Sequence, residues 1–169
     1  MRRSKPAALR YTDTMVTFSE VPGEIALCVN IAGCPHRCEG CHSPELRRTD
    51  IGQELGVRNL TWLMEHNKGI TCVCLMGGDA NPLMVSLLGT VIKNFGLKSA
   101  LYSGNDELDK GISLSSFDYI KLGHYDKELG GLDKETTNQR FYEVVGQSLT
   151  DKTWLFWTNE WRLMAQAKE

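Results

Sequence analysis

Apolar and polar residues alternate through EIALCVNI: Ile25, Leu27, Val29 and Ile31 fall on one side, Ala26, Cys28 and Asn30 on the other. A period of two predicts a strand over residues 25–31. The next patterned stretch repeats at helical spacing, with Leu60, Leu63, Met64 and Asn67 on one face of a helix predicted over 57–67 and Gly69 as its stop. The apolar run 70–76 reads as a buried strand. Pro82 opens a second helix whose spacing places Leu83, Leu87, Leu88, Val91, Ile92 and Phe95 toward the core before Gly96 ends it. A strand over 98–102, a short helix around 107–110, a strand in FDYIKLG and an apolar strand over 141–145 complete the pattern.

Strands alternating with helices are the grammar of right-handed βαβ units, so the predicted class is α/β with a parallel sheet. In such sheets ligands gather at the C-terminal strand ends. Three strings meet at that edge: a cysteine loop after the first strand, MGGDA after the second and YSGND after the third. A complete (β/α)₈ barrel takes about 250 residues and does not fit in 169. No repeat or linker divides the chain. Residues 1–14 read as a polar lead-in and 15–169 as one domain with a C-terminal extension.

With 41% hydrophobic and 24% charged residues, the composition excludes a disordered chain. Nineteen Lys and Arg against 21 Asp and Glu leave a net charge of −2, which removes the bulk electrostatic case for nucleic acid or an anionic membrane. The best apolar stretch, 83–92, is too short for a span and holds Ser86, Gly89 and Thr90. Arg2, Arg3, Lys5 and Arg10 have no apolar segment behind them, so no secretory signal is expected and a cytoplasmic location follows. Thiols stay reduced there, and the six cysteines need a reason other than disulfides.

Cys34, Cys38 and Cys41 form C-x₃-C-x₂-C in AGCPHRCEGCHSPE, where Gly33, Pro35, Gly40 and Pro44 oppose a regular helix. Three thiolates without a fourth suit a 4Fe-4S cluster that leaves one iron open. A zinc knuckle completed by His36 or His42 is the competing reading, and as a zinc-binding interaction module the chain would be no enzyme. Cys28, Cys72 and Cys74 sit in apolar strands; for them, small core residues are favoured over ligands. Gly77, Gly78 and Asp79 allow close backbone approach to a ligand, against a plain strand-to-helix turn with Asp79 near a helix N-terminus. Arg140 is open between pairing with an acidic group of a ligand or partner and a solvated charge. His36 and His124 are expected near the surface or behind the ligands. Trp154, Phe156, Trp157 and Trp161 read as a packed C-terminal segment, or else as a partner patch.

VPGEIALCVNIAGCPHRCEGCHSPEL resembles the cluster loop of radical S-adenosylmethionine activating enzymes. LMGGDANPL, SALYSG and YIKLGHYDKELGGLDKETTNQRFYEV extend the likeness, over about Phe18 to Val145, toward the activases of anaerobic (class III) ribonucleotide reductase. The resemblance implies an incomplete parallel (βα) barrel of the radical SAM type, with a 4Fe-4S cluster on Cys34, Cys38 and Cys41. It places S-adenosylmethionine at the open iron, near Gly77, Gly78, Asp79, Ser103 and Gly104. His42 is a candidate for the adenine side, since Gly40 stands where superfamily members often carry an aromatic residue. Reductive cleavage would give methionine and a 5′-deoxyadenosyl radical that takes hydrogen from a glycine of the reductase. A flavodoxin or ferredoxin would donate the electron, and the partner's glycine loop would close an open active-site edge. A small metabolite enzyme of the same chemistry, like the 7-carboxy-7-deazaguanine synthases, is the alternative.

Overall fold

Eight strands form one sheet in the computed structural model, which describes residues 8–158. They are β1 (Leu9–Thr17), β2 (Ala26–Ile31), β3 (Gln53–Leu55), β4 (Cys72–Met76), β5 (Lys98–Tyr102), β6 (Tyr119–Leu122), β7 (Arg140–Val145) and β8 (Ser148–Asp151). Their order is β3-β1-β2-β4-β5-β6-β7-β8. Only β2, β4, β5 and β6 run parallel. β1 and β3 on one flank and β7 and β8 on the other are antiparallel. The α/β class holds, but the sheet is mixed and has few helices, and it is not clearly a parallel barrel of the radical SAM type. The physical difference lies in the connections: only α1 (Val57–His66) and α2 (Pro82–Asn94) are full helices among the described residues, and hairpin-type pairing takes over beyond β6.

Residues 9–14 of the expected lead-in belong to β1. Its polar character hides it in the sequence, because within LRYTDTMVT only Leu9 and Tyr11 are buried. The expected helix at 107–110 is absent. That segment is a turn in which the Gly111 N–H donates to Asp109 Oδ1 at 2.7 Å, and the chain forms a 3₁₀ turn at Leu114–Ser116 instead.

α1 buries Leu60, Leu63 and Met64 as its periodicity predicts. α2 follows its expected face in part: Leu88 and Ile92 are buried and Val91 packs on the core, but Val85, Ser86 and Gly89 are buried in place of Leu83, which is 73% exposed, and of Leu87 and Phe95, which are also exposed. Apolar residues surround this helix nearly all the way round, so period alone cannot choose its face. Gly89 chooses it. A Cβ there would lie 2.7 Å from the Ser116 carbonyl oxygen and 2.8 Å from the Phe117 ring, so only glycine lets the helix approach this closely. Ser86 and Thr90 then fasten it, through Ser86 Oγ to the Gly111 carbonyl (3.1 Å) and Thr90 Oγ1 to Ser116 Oγ (2.9 Å).

The two sheet faces differ in chemistry. Leu27, Val29, Val73, Leu75, Leu101 and Ile120 pack under the helices. The opposite face carries Ala26, Cys28, Cys72, Cys74 and Ala100, with Cys28 paired to Cys74 and Cys74 to Ala100 in the parallel ladder. Phe141, Leu132 and Phe156 cover that face in place of helices.

Candidate iron–sulfur site

β2 delivers the chain into the cysteine loop, whose far side is the 3₁₀ turn Pro44–Arg47. The Gly33 N–H donates to the carbonyls of Leu46 (2.7 Å) and Arg48 (2.9 Å), and the Cys34 N–H donates to Leu46 (2.8 Å). Arg47 Nη2 donates to the Cys38 carbonyl at 2.8 Å. Gly40, at φ +73°, turns the chain between Cys38 and Cys41 and brings its backbone against Tyr125 and Lys127. On this framework Cys34, Cys38 and Cys41 are half-buried free thiols.

Burial pushes the Cys34 thiol up; the His36 backbone hydrogen bond opposes this, while the Asp79 carboxylate and the other two thiols raise it further. Thiols that raise one another in this way favour a cationic centre that takes up their charge. Among the described residues, no three His, Cys, Asp or Glu side chains are close enough to hold a metal ion. A zinc site needs its thiolates about 2.3 Å from one shared point, whereas a four-iron cluster takes its thiolates on separate irons. The donor set of this loop fits the cluster: three thiols, flexible glycine joints and no fourth cysteine in the loop.

The three strand-end strings meet as expected. Gly77 and Gly78 both have positive φ, +102° and +95°, and the Gly77 N–H donates to the Tyr102 carbonyl at 2.8 Å. Asp79 is the joint. Its Oδ1 accepts from Ser103 Oγ at 2.6 Å, and its Oδ2 accepts from the Gly104 N–H at 2.9 Å and lies 2.9 Å from His36 Nε2. His36 thus ties the cysteine loop to the loops after β4 and β5. Ser103 is buried, and a Cβ on Gly104 would meet the His36 ring at 2.4 Å.

The segment after β6 closes the other side of the loop. Tyr125 packs on His42 with ring centroids 5.2 Å apart, and Lys127 pairs with Glu39. Thr136 and Thr137 donate to the Leu129 and Gly130 carbonyls, and Asn138 Nδ2 donates to the His124 carbonyl at 3.0 Å. Arg140 is taken up locally, bonding the Thr137 and Gln139 carbonyls at 2.7 and 2.8 Å and standing 3.8 Å from Asp151. His124 pairs with Asp106 in an exposed position. Of the C-terminal aromatics, Phe156 packs edge-on to Phe141, while Trp154 and Trp157 are exposed; Trp161 lies outside the described residues.

A cavity of about 480 Å³ lies between these loops and the ends of β5 and β6, at Tyr102 and Lys121. Cys41 and His42 line it at the cysteine loop, together with Glu20, Tyr102, Lys121, Tyr125, Gln139 and Phe156. Its size suits a cofactor or a short length of polypeptide. Lys121 is buried in β6, its Nζ donating to the Ser103 carbonyl (3.4 Å) and the Gly123 carbonyl (2.6 Å). Burial pushes its ammonium down to about 8, against the pull of Asp79, Cys38, Asp106 and Cys34. Sequence pattern missed this residue. A lysine inside the apolar strand YIKL is the signal that betrays it, since period two turns it away from Ile120 toward the cavity.

A mixed α/β sheet with three thiols on one loop at its ligand-bearing edge suits an iron–sulfur protein. The chain belongs to the 4Fe-4S single cluster domain family, whose model matches residues 21–115. That match spans the cysteine loop, Gly77–Asp79 and Ser103–Gly104, and it stops before β6. No curated protein matches the chain. No helix among the described residues is long and apolar enough to cross a membrane.

Proposed function

We propose that this iron–sulfur protein is a radical S-adenosylmethionine activase that places a glycyl radical on anaerobic ribonucleotide reductase. The observation that carries the reading is the Asp79 joint, which gathers the cysteine loop, the double-glycine loop and the Ser103–Gly104 turn beside a cavity bounded by Cys41. When bound, the cluster supplies the electron that cleaves the sulfonium, giving methionine and a 5′-deoxyadenosyl radical that takes hydrogen from a glycine.

The chain's own residues hold and enclose these reactants. Cys34, Cys38 and Cys41 ligate the cluster. Gly77 and Gly78 let the backbone approach the methionyl ammonium, since neither carries a Cβ. The buried Lys121 ammonium provides positive charge in the cavity for the methionyl carboxylate, and His42 with Tyr125 offers an aromatic wall to the adenine. Leu132 and Phe156 keep water from the inner face. A flavodoxin or ferredoxin is the proposed electron donor, and a cytoplasmic, anaerobic setting is the proposed location.

The deciding experiment is anaerobic reconstitution with iron and sulfide, followed by mixing with the reductase. About four irons per chain, reductive cleavage of S-adenosylmethionine and a glycyl radical by electron paramagnetic resonance are expected. A reconstituted protein that cleaves the cofactor and leaves no radical on the reductase overturns the activase reading and favours a metabolite substrate. Cys38→Ala is expected to lose both cluster and cleavage.

A further inference from the structure

Arg10, Arg47 and Arg48 lay the same edge of the guanidinium, Nε with Nη2, against the protein. Arg10 donates from Nε to the Ile51 carbonyl at 3.0 Å and from Nη2 to the Gly52 carbonyl. Arg48 donates from Nε (3.0 Å) and Nη2 (2.9 Å) to the two carboxylate oxygens of Asp50. Arg47 uses half of its edge. Its Nη2 donates to the Cys38 carbonyl at 2.8 Å, while its Nε is shielded from solvent and has no hydrogen-bond partner among the described residues. A guanidinium is planar and its N–H groups form a fixed fork, so the Nε–H leaves alongside the Nη2–H, toward the cysteine loop at Cys38. A buried donor without an acceptor is a cost to folding that a bound group removes. The backbone holds Arg47 in this place. It ends the 3₁₀ turn Pro44–Arg47, and the carbonyls on either side of it, Leu46 and Arg48, accept from the Gly33 and Cys34 N–H groups at the start of the loop.

We infer that the Arg47 Nε–H donates to sulfur at the Cys38 corner of the 4Fe-4S cluster and raises its reduction potential. The inference rests on the cluster and on Cys38 as one of its ligands, and it holds whichever substrate the chain acts on. Thiolate and sulfide sulfurs are the acceptors a cluster brings to this loop, and hydrogen bonds to those sulfurs are among the terms that set its potential. The sign follows from charge. Each cysteine thiolate carries a negative charge, and reduction adds one electron from the external donor. A cationic N–H beside the sulfurs therefore stabilises the reduced state more than the oxidised one. Arg47 makes the cluster easier for a weak donor to reduce. No bond forms or breaks at Arg47, and a guanidinium keeps its proton throughout. The other cations around the loop are placed differently: Arg48 pairs with Asp50, Lys127 pairs with Glu39, and Arg37 is exposed.

The test is an anaerobic potentiometric titration of the reconstituted full chain, without S-adenosylmethionine or reductase, followed by electron paramagnetic resonance of the reduced cluster. Wild type, Arg47→Met and Arg47→Lys are compared. Arg47→Met is expected to take up the electron about tenfold less readily, a fall of about 59 mV for a one-electron couple. Arg47→Lys, which keeps the charge and loses the fixed edge, is expected to fall between. The signal comes only from chains that hold a cluster, so a partial loss of iron leaves the reading intact, and if Arg47→Met holds none, Arg47→Lys decides. A potential equal to wild type in Arg47→Met reduces Arg47 to a prop for the Cys38 carbonyl and overturns the inference. Full rescue by Arg47→Lys overturns it too, because charge without the Nε–H then suffices. The activase reading is decided separately, by whether wild type leaves a glycyl radical on the reductase.

Discussion

Nε2 of His36 lies 2.9 Å from Oδ2 of Asp79, joining two loops whose residues are 43 apart in the chain. The carboxylate is almost fully buried and also receives Ser103 Oγ and the Gly104 N–H, so one acidic side chain organises all three strand-end loops.

Asp79→Ala removes the acceptor of the buried Ser103 hydroxyl and of the part-buried Gly104 N–H, at about 1–3 kcal/mol for each donor left unsatisfied. A loss of about 3 kcal/mol in urea unfolding of the cluster-free protein is expected. His36→Ala, at a part-exposed position, is expected to cost less than half as much. Both variants are expected to retain less iron after gel filtration, because the cysteine loop loses its tie to β4.

Gly104→Ala tests the same joint from the other side. The new Cβ meets the His36 ring at 2.4 Å, and the backbone there is not in the left-handed region, so the clash alone is introduced. Because the ring is the part-exposed partner, it swings away: stability drops by about 1–2 kcal/mol, and bound iron becomes more sensitive to a chelator. Unaltered chelator kinetics count against a role for His36 in holding the loop.

The six cysteines are expected to divide by iron content. Cys74→Ala removes a buried small hydrophobe and costs about 1 kcal/mol, while about four irons per chain remain. Burial holds the Cys72 and Cys74 thiols well above the ordinary thiol range, so in the folded protein they are expected to resist alkylation near pH 8, unlike Cys38 and Cys41, which solvent reaches in the cluster-free chain. Mass spectrometry after brief iodoacetamide treatment reads the division directly.

Lys121 predicts a pH dependence. Its folded value, pushed from 10.5 to about 8 by burial, means that the unfolded chain holds the proton more tightly. The lysine therefore costs about 3 kcal/mol below pH 8 relative to an exposed lysine, and the cost fades as pH rises from 8 toward 10.5. In the cluster-free protein Lys121→Met is expected to be more stable than wild type at pH 7, with the difference shrinking by pH 10. A constant difference across that range places the ammonium in water.

The strands β2, β4, β5 and β6 were legible because each is a run of apolar residues bounded by glycine or polar turns, and burial on both faces makes such runs continuous. β1 was not legible, since a strand that buries only Leu9 and Tyr11 and leaves the rest partly or fully exposed shows no such run. The face of α2 was legible only in part for the opposite reason: too many apolar residues surround it, and Gly89 selects among them only through contact with Ser116 and Phe117.

By itself, the amino-acid sequence determined the parallel strand–helix core, the three-thiol loop and the edge where it meets Gly77–Asp79 and Ser103–Gly104, because local spacing and turn residues set all of these. Tertiary structure decided the antiparallel flanks, the bonding of Asp79 to His36, and the cavity that brings Glu20, Lys121 and Gln139 together. These depend on contacts between residues far apart in the chain, and the charge or bonding of a buried group is set by its neighbours in space.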